Sequence, residues 1–278
     1  RVVEAYRKLR NTLRYLLANL YDFDPQRDLV AVGDSLEVDR YALARYATVA
    51  ARIRAAYEAY DFPAAFQALN AFVTVDLSAF YFDVSKDRMY TAGAASPERR
   101  SGQSAMYRIA DGLVRLLTPM LPVTADELWR ALPGPREDAV HLAEFPDDLD
   151  RLQDAALVDR WTRLLAVRDA VLPAIEAMRQ KKAVGQSLEA HVHLRAGGDT
   201  HALLAAHADD LPMLFIVSAV SLARAGDEDT LEVQVTRAGG EKCPRCWRYV
   251  PQVARDEAFA GLCPRCVAAV SAPAGTGA

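Results

Sequence analysis

The first twenty residues carry apolar side chains at intervals of three and four, which is the spacing of a buried stripe on an α-helix. The members of this stripe are Val2, Tyr6, Leu9, Leu13, Leu16, Leu17 and Leu20. Pro25 forbids continuation of the helix and also pushes the residue before it out of the helical region. We therefore predict an amphipathic helix from the start of the chain to Leu20.

The same periodicity predicts four more helices and then a change of pattern. We predict helices over about 36–60, 63–82, 96–118 and 124–132, the last opened by a capping box in which Thr124 is the N-cap and Glu127 its partner, and a polar loop over 83–95. A long helix is predicted over 152–182, followed by strands near 188–194, 214–222 and 231–235. Short connections between the first five helices favour an antiparallel bundle.

The predicted fold class is therefore mainly α, with a helical bundle followed by a small α+β unit and a cysteine-rich module. We place the domains at 1–146 for the bundle, 147–238 for the α+β junction unit with its long helix, 239–270 for the cysteine module and 271–278 for a disordered tail. The tail is predicted from its small residues, proline and glycine.

All four cysteines of the chain lie near its end, as two Cys-x-x-Cys pairs separated by sixteen residues. They are Cys243, Cys246, Cys263 and Cys266. This spacing is typical of a zinc site, because two tight turns can present four thiolates to one tetrahedral ion. A set of four leaves no open coordination position, so one structural zinc is predicted. A disulfide framework or a redox pair is the weaker alternative for this pattern.

The net charge of −4 over 278 residues argues against a general nucleic-acid binder, although two local stretches are basic. Residues 1–19 and 237–255 each hold five basic residues against one acidic residue. The chain has no long apolar run, so we expect no membrane span, and thiolate cysteines favour a cytoplasmic protein. We expect a monomer.

One face of the first helix carries a cluster of Arg7, Arg10, Asn11 and Arg14, called here the α1 basic face. Arginine presents a planar fork that suits phosphate and base edges, so this face is a candidate RNA contact. The competing interpretation is an ordinary solvated helix surface.

Trp247 directly follows the second cysteine and is flanked by Arg248. The indole could stack on an unpaired base while the arginine contacts phosphate, or it could fill the small core of the zinc module. No phosphate-binding glycine loop, nucleophile elbow or zinc-protease motif occurs in the chain, so no catalytic residue is predicted.

Several ordered blocks of this sequence closely resemble the anticodon-binding region of bacterial isoleucyl-tRNA synthetases. The blocks span 6–17, 22–25, 57–62, 86–91, 124–129, 187–190 and 241–247. The resemblance implies a parent ligase that joins isoleucine to its tRNA using ATP, of which this chain is the C-terminal third. The His-Ile-Gly-His and Lys-Met-Ser-Lys-Ser types of ATP-site signature are absent here, so ATP is expected only in the missing catalytic domain, and the chain alone is expected to be non-catalytic.

The resemblance makes the α1 basic face, Trp247 and Arg248 expected tRNA contacts, and makes the four cysteines the expected zinc ligands. The expected partners are an isoleucine tRNA and the missing catalytic and editing domains of the same chain. Two other functions stay open at this point. A zinc-ribbon DNA glycosylase is one, although the chain lacks the Pro-Glu start that such enzymes need, and a free-standing nucleic-acid-binding zinc protein is the other.

Overall fold

The computed structural model describes residues 2–272, with the side chain of Val2 excluded. The chain forms two compact units: the first comprises 2–89 and Ala94–Val158, and the second comprises Tyr90–Gly93 and 159–272. The predicted domain boundaries stay predictions. Of the predicted tail, Ser271 ends the last helix, and residues from 273 onward lie outside the described residues.

The first unit is a helical bundle. Its helices are α1 (Val2–Ala18), α2 (Glu37–Glu58), α3 (Phe62–Ala71), a π-helical stretch (Phe72–Tyr81), α4 (Phe82–Thr91), α5 (Pro97–Leu117) and α6 (Pro122–Ala131). The last two residues of α4, Tyr90 and Thr91, belong to the second unit. The stripe of α1 is confirmed, because Leu9, Leu13 and Leu16 are all buried, although the helix ends at Ala18 and the buried Leu20 lies in the turn after it. Helix α5 begins at a proline, whose fixed backbone angle suits the first position of a helix.

The predicted loop over 83–95 is wrong for its first part, because helix α4 continues to Thr91. One of the polar residues that suggested a loop, Arg88, belongs to a buried network. The Arg88 guanidinium donates to both carboxylate oxygens of Asp39 on α2, and Tyr81 and Ser101 each donate to the same carboxylate at 2.6 Å. Because these bonds form only in the folded bundle, the local sequence did not reveal a helix there.

The predicted capping box at the start of α6 is also wrong. The helix begins at Pro122 after Leu121, which makes no side-chain cap. The Thr124 hydroxyl is instead turned toward α1, where its oxygen lies 3.2 Å from the Tyr6 hydroxyl. Proline is well suited to the first position of a helix, and here it moves the start two residues before the predicted N-cap.

The second unit contains the predicted α+β arrangement. Its elements are α7 (Ala155–Gln180), β1 (Ala190–Ala196), α8 (Gly198–Ala206), α9 (Leu211–Phe215), β2 (Ala219–Arg224), β3 (Leu231–Arg237), β4 (Glu241–Lys242), β5 (Tyr249–Val250) and α10 (Pro264–Ser271). The larger sheet has the order β2-β1-β3, with β1 parallel to β2 and antiparallel to β3. Helices α8 and α9 form the crossover that a parallel pair needs.

The predicted fold class is confirmed: a mainly helical chain with a small sheet and a cysteine cluster. Residues at even positions of β1, from Ala190 to Ala196, are buried, as the alternation predicted. In the part of the chain that the structure describes, none of the helices is sufficiently long and apolar to traverse a lipid bilayer.

Candidate metal centre and nucleic-acid interface

The four cysteines meet in the second unit, where all of them are buried. Their sulfur atoms all lie within 4.8 Å of one another, and the Sγ atoms of Cys246 and Cys263 are 3.7 Å apart. Four sulfurs at tetrahedral corners, each about 2.3 Å from a zinc ion, would stand about 3.8 Å apart. The donor set therefore fits a tetrathiolate zinc, and all four residues are free thiols rather than disulfides.

Each Cys-x-x-Cys pair is shaped by its own backbone turn. In the first turn, the Trp247 amide donates to the Cys243 carbonyl at 2.9 Å, and Trp247 itself has a left-handed φ of 65°. The strand pair β4–β5 continues on either side of this turn. In the second turn, Cys263 is the residue before α10, and Pro264 begins the helix. One pair is thus presented by a strand turn and the other by a helix start.

The surroundings of the sulfurs have opposite effects on their ionisation. Burial raises the pKa of the Cys266 thiol to about 12. Burial also opposes ionisation of Cys243, but backbone hydrogen bonds from Cys246, Cys263 and Arg245 outweigh it and lower the pKa of Cys243 to about 6. A metal ion must displace the proton of each thiol that it binds. Because its pKa is lowered to about 6, the Cys243 thiol has less need of that step near neutral pH.

Trp247 does not fill the core of the zinc module, because 54% of its surface is exposed. That core consists of the cysteines themselves, with Val250 and Leu262 packed against them. The Lys242 ammonium lies 5.8 Å from the centre of the indole ring, and Arg248 is half-buried beside it. The module therefore presents an accessible aromatic face next to positive charge, which is the chemistry of a base-stacking platform.

The α1 basic face lies in the first unit, on the opposite side of α1 from its buried leucines. Arg7, Asn11 and Arg14 are exposed, whereas Arg10 is half-buried. Helical geometry brings these four side chains together, because residues three and four apart are neighbours on the surface of a helix.

Arg10 is not free on this face, because its guanidinium donates two hydrogen bonds to the Glu127 carboxylate, at 2.7 and 2.8 Å. The hydrogen bond to Glu127 raises the pKa of Arg10, and the same bond lowers the pKa of Glu127, with a smaller contribution from the charge of Arg14. Glu127 was missed as a member of this surface, because the sequence assigned it to a capping box on its own helix.

Two protein families match this chain. The family described as "Anticodon-binding domain of tRNA ligase" matches residues 39–194, and the family described as "Zinc finger found in FPG and IleRS" matches residues 240–269. The second match covers both Cys-x-x-Cys pairs and supports the structural zinc. Since that zinc finger occurs in two kinds of protein, it does not by itself choose between a ligase and a DNA-repair enzyme, whereas the first match does.

Similar curated proteins agree with the first match. The chain is 45% identical over 279 residues to an isoleucine–tRNA ligase of Syntrophotalea carbinolica, covering 98% of this chain and 30% of that protein. It is 44% identical over 278 residues to an isoleucine–tRNA ligase of Geobacter sulfurreducens, covering 97% of this chain and 30% of that protein. The chain thus spans less than a third of the length of these relatives.

The anticodon-binding match extends over more than half of the chain, from the first turn of α2 through helix α7 of the structure. The zinc-finger match coincides with the converging sulfurs. On these two observations, the chain belongs to the anticodon-binding domain family of tRNA ligases and carries a structural zinc module.

Proposed function

We propose that this chain is the tRNA-recognition, C-terminal part of an isoleucine–tRNA ligase, an enzyme that joins isoleucine to its tRNA using ATP. The chemistry with ATP belongs, in this proposal, to catalytic and editing parts of the parent protein outside this chain. The proposal is supported by the anticodon-binding match and by the relatives at 44–45% identity. We further propose that the parent protein is a cytoplasmic monomer.

The observation that carries the proposal is the exposure of the α1 basic face. Arg7 and Arg14 project from a helix whose other side is locked into the bundle by Leu9, Leu13 and Leu16. A rigid helix of this kind holds its cations at fixed spacing, which suits the regular phosphates of an RNA stem or loop. Together with Arg10 and Asn11, these residues are the proposed tRNA contacts of the first unit.

In the second unit, we propose that Cys243, Cys246, Cys263 and Cys266 are the zinc ligands. The ion would hold two turns together in a module that buries very little apolar surface besides the cysteines, as is usual for structural zinc. This scaffold would present Trp247 and Arg248, which we propose as contacts to an unpaired base and to phosphate.

The proposal is tested by measuring binding of the purified chain to an isoleucine tRNA and to a second tRNA across a salt series. Binding is expected to weaken steeply as salt rises, because contacts with phosphate release counterions. In the Arg7→Gln/Arg14→Gln variant, the slope of log affinity against log salt is expected to fall by about one for each arginine removed.

A matched control is Arg52→Gln, which removes an exposed arginine from α2 rather than from α1. We expect it to leave the slope and the affinity unchanged. If the α1 variant and the control bind tRNA equally well, the α1 basic face is not the contact surface. If the chain binds no tRNA and instead cleaves damaged duplex DNA, the ligase proposal fails and the repair-enzyme alternative replaces it.

A further inference from the structure

The two cysteine turns repeat the same four residues, Cys-Pro-Arg-Cys, so each turn carries one arginine directly before its second cysteine. These arginines are Arg245 and Arg265. They are part of the zinc module, but neither metal coordination nor the proposed base-stacking platform uses their side chains.

Each arginine reaches across to the opposite turn. The Arg245 Nη1 atom lies 3.7 Å from the Cys266 sulfur, which belongs to the second turn. Arg265, from the second turn, makes a side-chain hydrogen bond to Cys246 of the first. The contacts are therefore reciprocal, and each arginine touches the last cysteine of the other pair.

Both guanidiniums also bind one further residue, Thr91, which belongs to the same compact unit as the zinc module. Arg245 donates to the Thr91 carbonyl oxygen, and Arg265 Nη2 lies 3.1 Å from the Thr91 hydroxyl oxygen. Thr91 is buried. The guanidiniums are thus held between the carbonyl and hydroxyl groups of Thr91 on one side and the two sulfurs on the other.

The charge balance of the site explains why such groups would matter. Four thiolates around one Zn²⁺ leave an excess of two negative charges, which is unfavourable in a buried site unless donors or cations face the sulfurs. Two arginines supply two positive charges and N–H donors at the sulfurs. Residues that hydrogen-bond to metal ligands in this way commonly change metal affinity by about 10–100-fold when they are removed.

We propose that Arg245 and Arg265 are positioning residues of the zinc site, which neutralise its thiolates in a reciprocal pair and slow the loss of the ion. The proposal depends on the four cysteines being the zinc ligands. Arg245 is expected to contribute more than Arg265 to retention of the ion, because Arg245 is half-buried and Arg265 is exposed. Neither arginine is then available to contact RNA, so Trp247 and Arg248 are the proposed RNA contacts of the zinc module.

The test measures how fast zinc leaves the metal-loaded chain when a coloured chelator is added in excess. In Arg245→Gln/Arg265→Gln, release is expected to be about 10–100-fold faster than in the unmodified chain. The single variants are expected to rank with Arg245→Gln faster than Arg265→Gln. The control is Arg255→Gln, which removes an arginine of the same module that binds Glu241 rather than sulfur, and it should release zinc at the normal rate.

The variant Arg245→Lys/Arg265→Lys keeps both charges and is expected to restore part of the lost retention, and it provides the measurement if the glutamine variant does not fold. Cobalt substitution adds a spectroscopic reading, because the thiolate-to-cobalt absorption band should shift in the glutamine variants and not in the control.

Unchanged release rates in the glutamine and lysine variants would overturn the proposal, and so would equal acceleration in Arg255→Gln, which would show a general effect of net charge. Metal analysis of the unmodified chain distinguishes a wrong assignment of the zinc ligands from a wrong role for the two arginines. If the chain does not hold one zinc, the ligand assignment fails. If it holds one zinc and the arginine variants release it at the normal rate, only the role of the arginines fails.

Discussion

Two arginine–carboxylate pairs in the first unit share the same bidentate chemistry and differ in their surroundings. Arg88 and Asp39 join α4 to α2 in the interior, with side chains that are 8% and 0% exposed. Arg10 and Glu127 join α1 to α6 at the surface, with side chains that are 33% and 57% exposed. Water can replace the partners of the second pair but not those of the first, so an identical motif can be structural in one place and exchangeable in the other.

The interior pair is supported by further groups. Burial acts to lower the pKa of Arg88, but the Asp39 carboxylate outweighs it and raises that pKa, so the guanidinium stays charged. Burial, and then the Asp39 charge, raise the pKa of the Tyr81 phenol well above its ordinary value, so Tyr81 remains a donor to Asp39. Every partner of Asp39 would have to be rearranged before this network could open.

The largest expected effect in this comparison is therefore on stability, from Arg88→Met. The change leaves the Asp39 carboxylate buried without its cation, and such a loss costs about 3–5 kcal/mol. Denaturant unfolding followed by circular dichroism measures it. In Asp39→Leu/Arg88→Met, where both charges are gone, part of the stability is expected to return, although Tyr81 and Ser101 lose their acceptor. If the double variant is no more stable than the single one, lost packing rather than uncompensated charge accounts for the cost.

A smaller effect is expected from Arg10→Gln, and on a different property. Because the pair is exposed and water can replace either partner, the free energy of unfolding should hardly change. If Arg10 leaves Glu127 to contact a phosphate of tRNA, the salt slope of tRNA binding should fall by about one. A loss of stability as large as that of Arg88→Met would contradict the distinction between the two pairs.

The smallest effect is expected from Glu127→Gln, which should strengthen tRNA binding, whereas Arg10→Gln should weaken it. Glu127 occupies the donors of Arg10 and places a negative charge beside Arg14, so a phosphate must compete with it. Removing that charge is expected to strengthen tRNA binding by only a few-fold, because exposed ion pairs are weak. Asp83→Asn, which removes an exposed carboxylate paired with Lys86 elsewhere in the first unit, is the matched control. Weaker binding by Glu127→Gln than by this control would show that the carboxylate orients Arg10 for RNA rather than competing for it.

The features that the sequence predicted well depend on short-range patterns. Helices α1, α2 and α5 follow from apolar spacing and from proline positions, and the cysteine cluster follows from the spacing of its ligands. The features that it predicted poorly depend on pairs distant in sequence. Helix α4 is stabilised by a bond from Arg88 to Asp39, 49 residues away, and Glu127 meets Arg10 across 117 residues.

The contacts of Arg245 and Arg265 in the zinc module also join residues that are distant in sequence. By sequence, Arg245 is one of the five basic residues of 237–255, and nothing in its neighbours distinguishes a cation facing solvent from one facing sulfur. Only the folded turn shows that Arg245 is directed toward Cys266 and Thr91. The types and spacing of residues predicted the zinc site and the basic surfaces of this chain. Only the fold shows which arginines already contact a carboxylate or a sulfur.

The one-sided burial of helix α1 has a consequence for how this family is handled experimentally. The anticodon-binding match begins at residue 39, so a fragment cut to that range would lose the helix. Without it, the bundle surface that receives Leu9, Leu13 and Leu16 would be open to water, and Ser78 would lose its contact with Thr12. Such a fragment would expose a contiguous apolar groove of the kind that promotes aggregation. One side of helix α1 therefore keeps water from the core of the bundle, while the other side carries the exposed arginines.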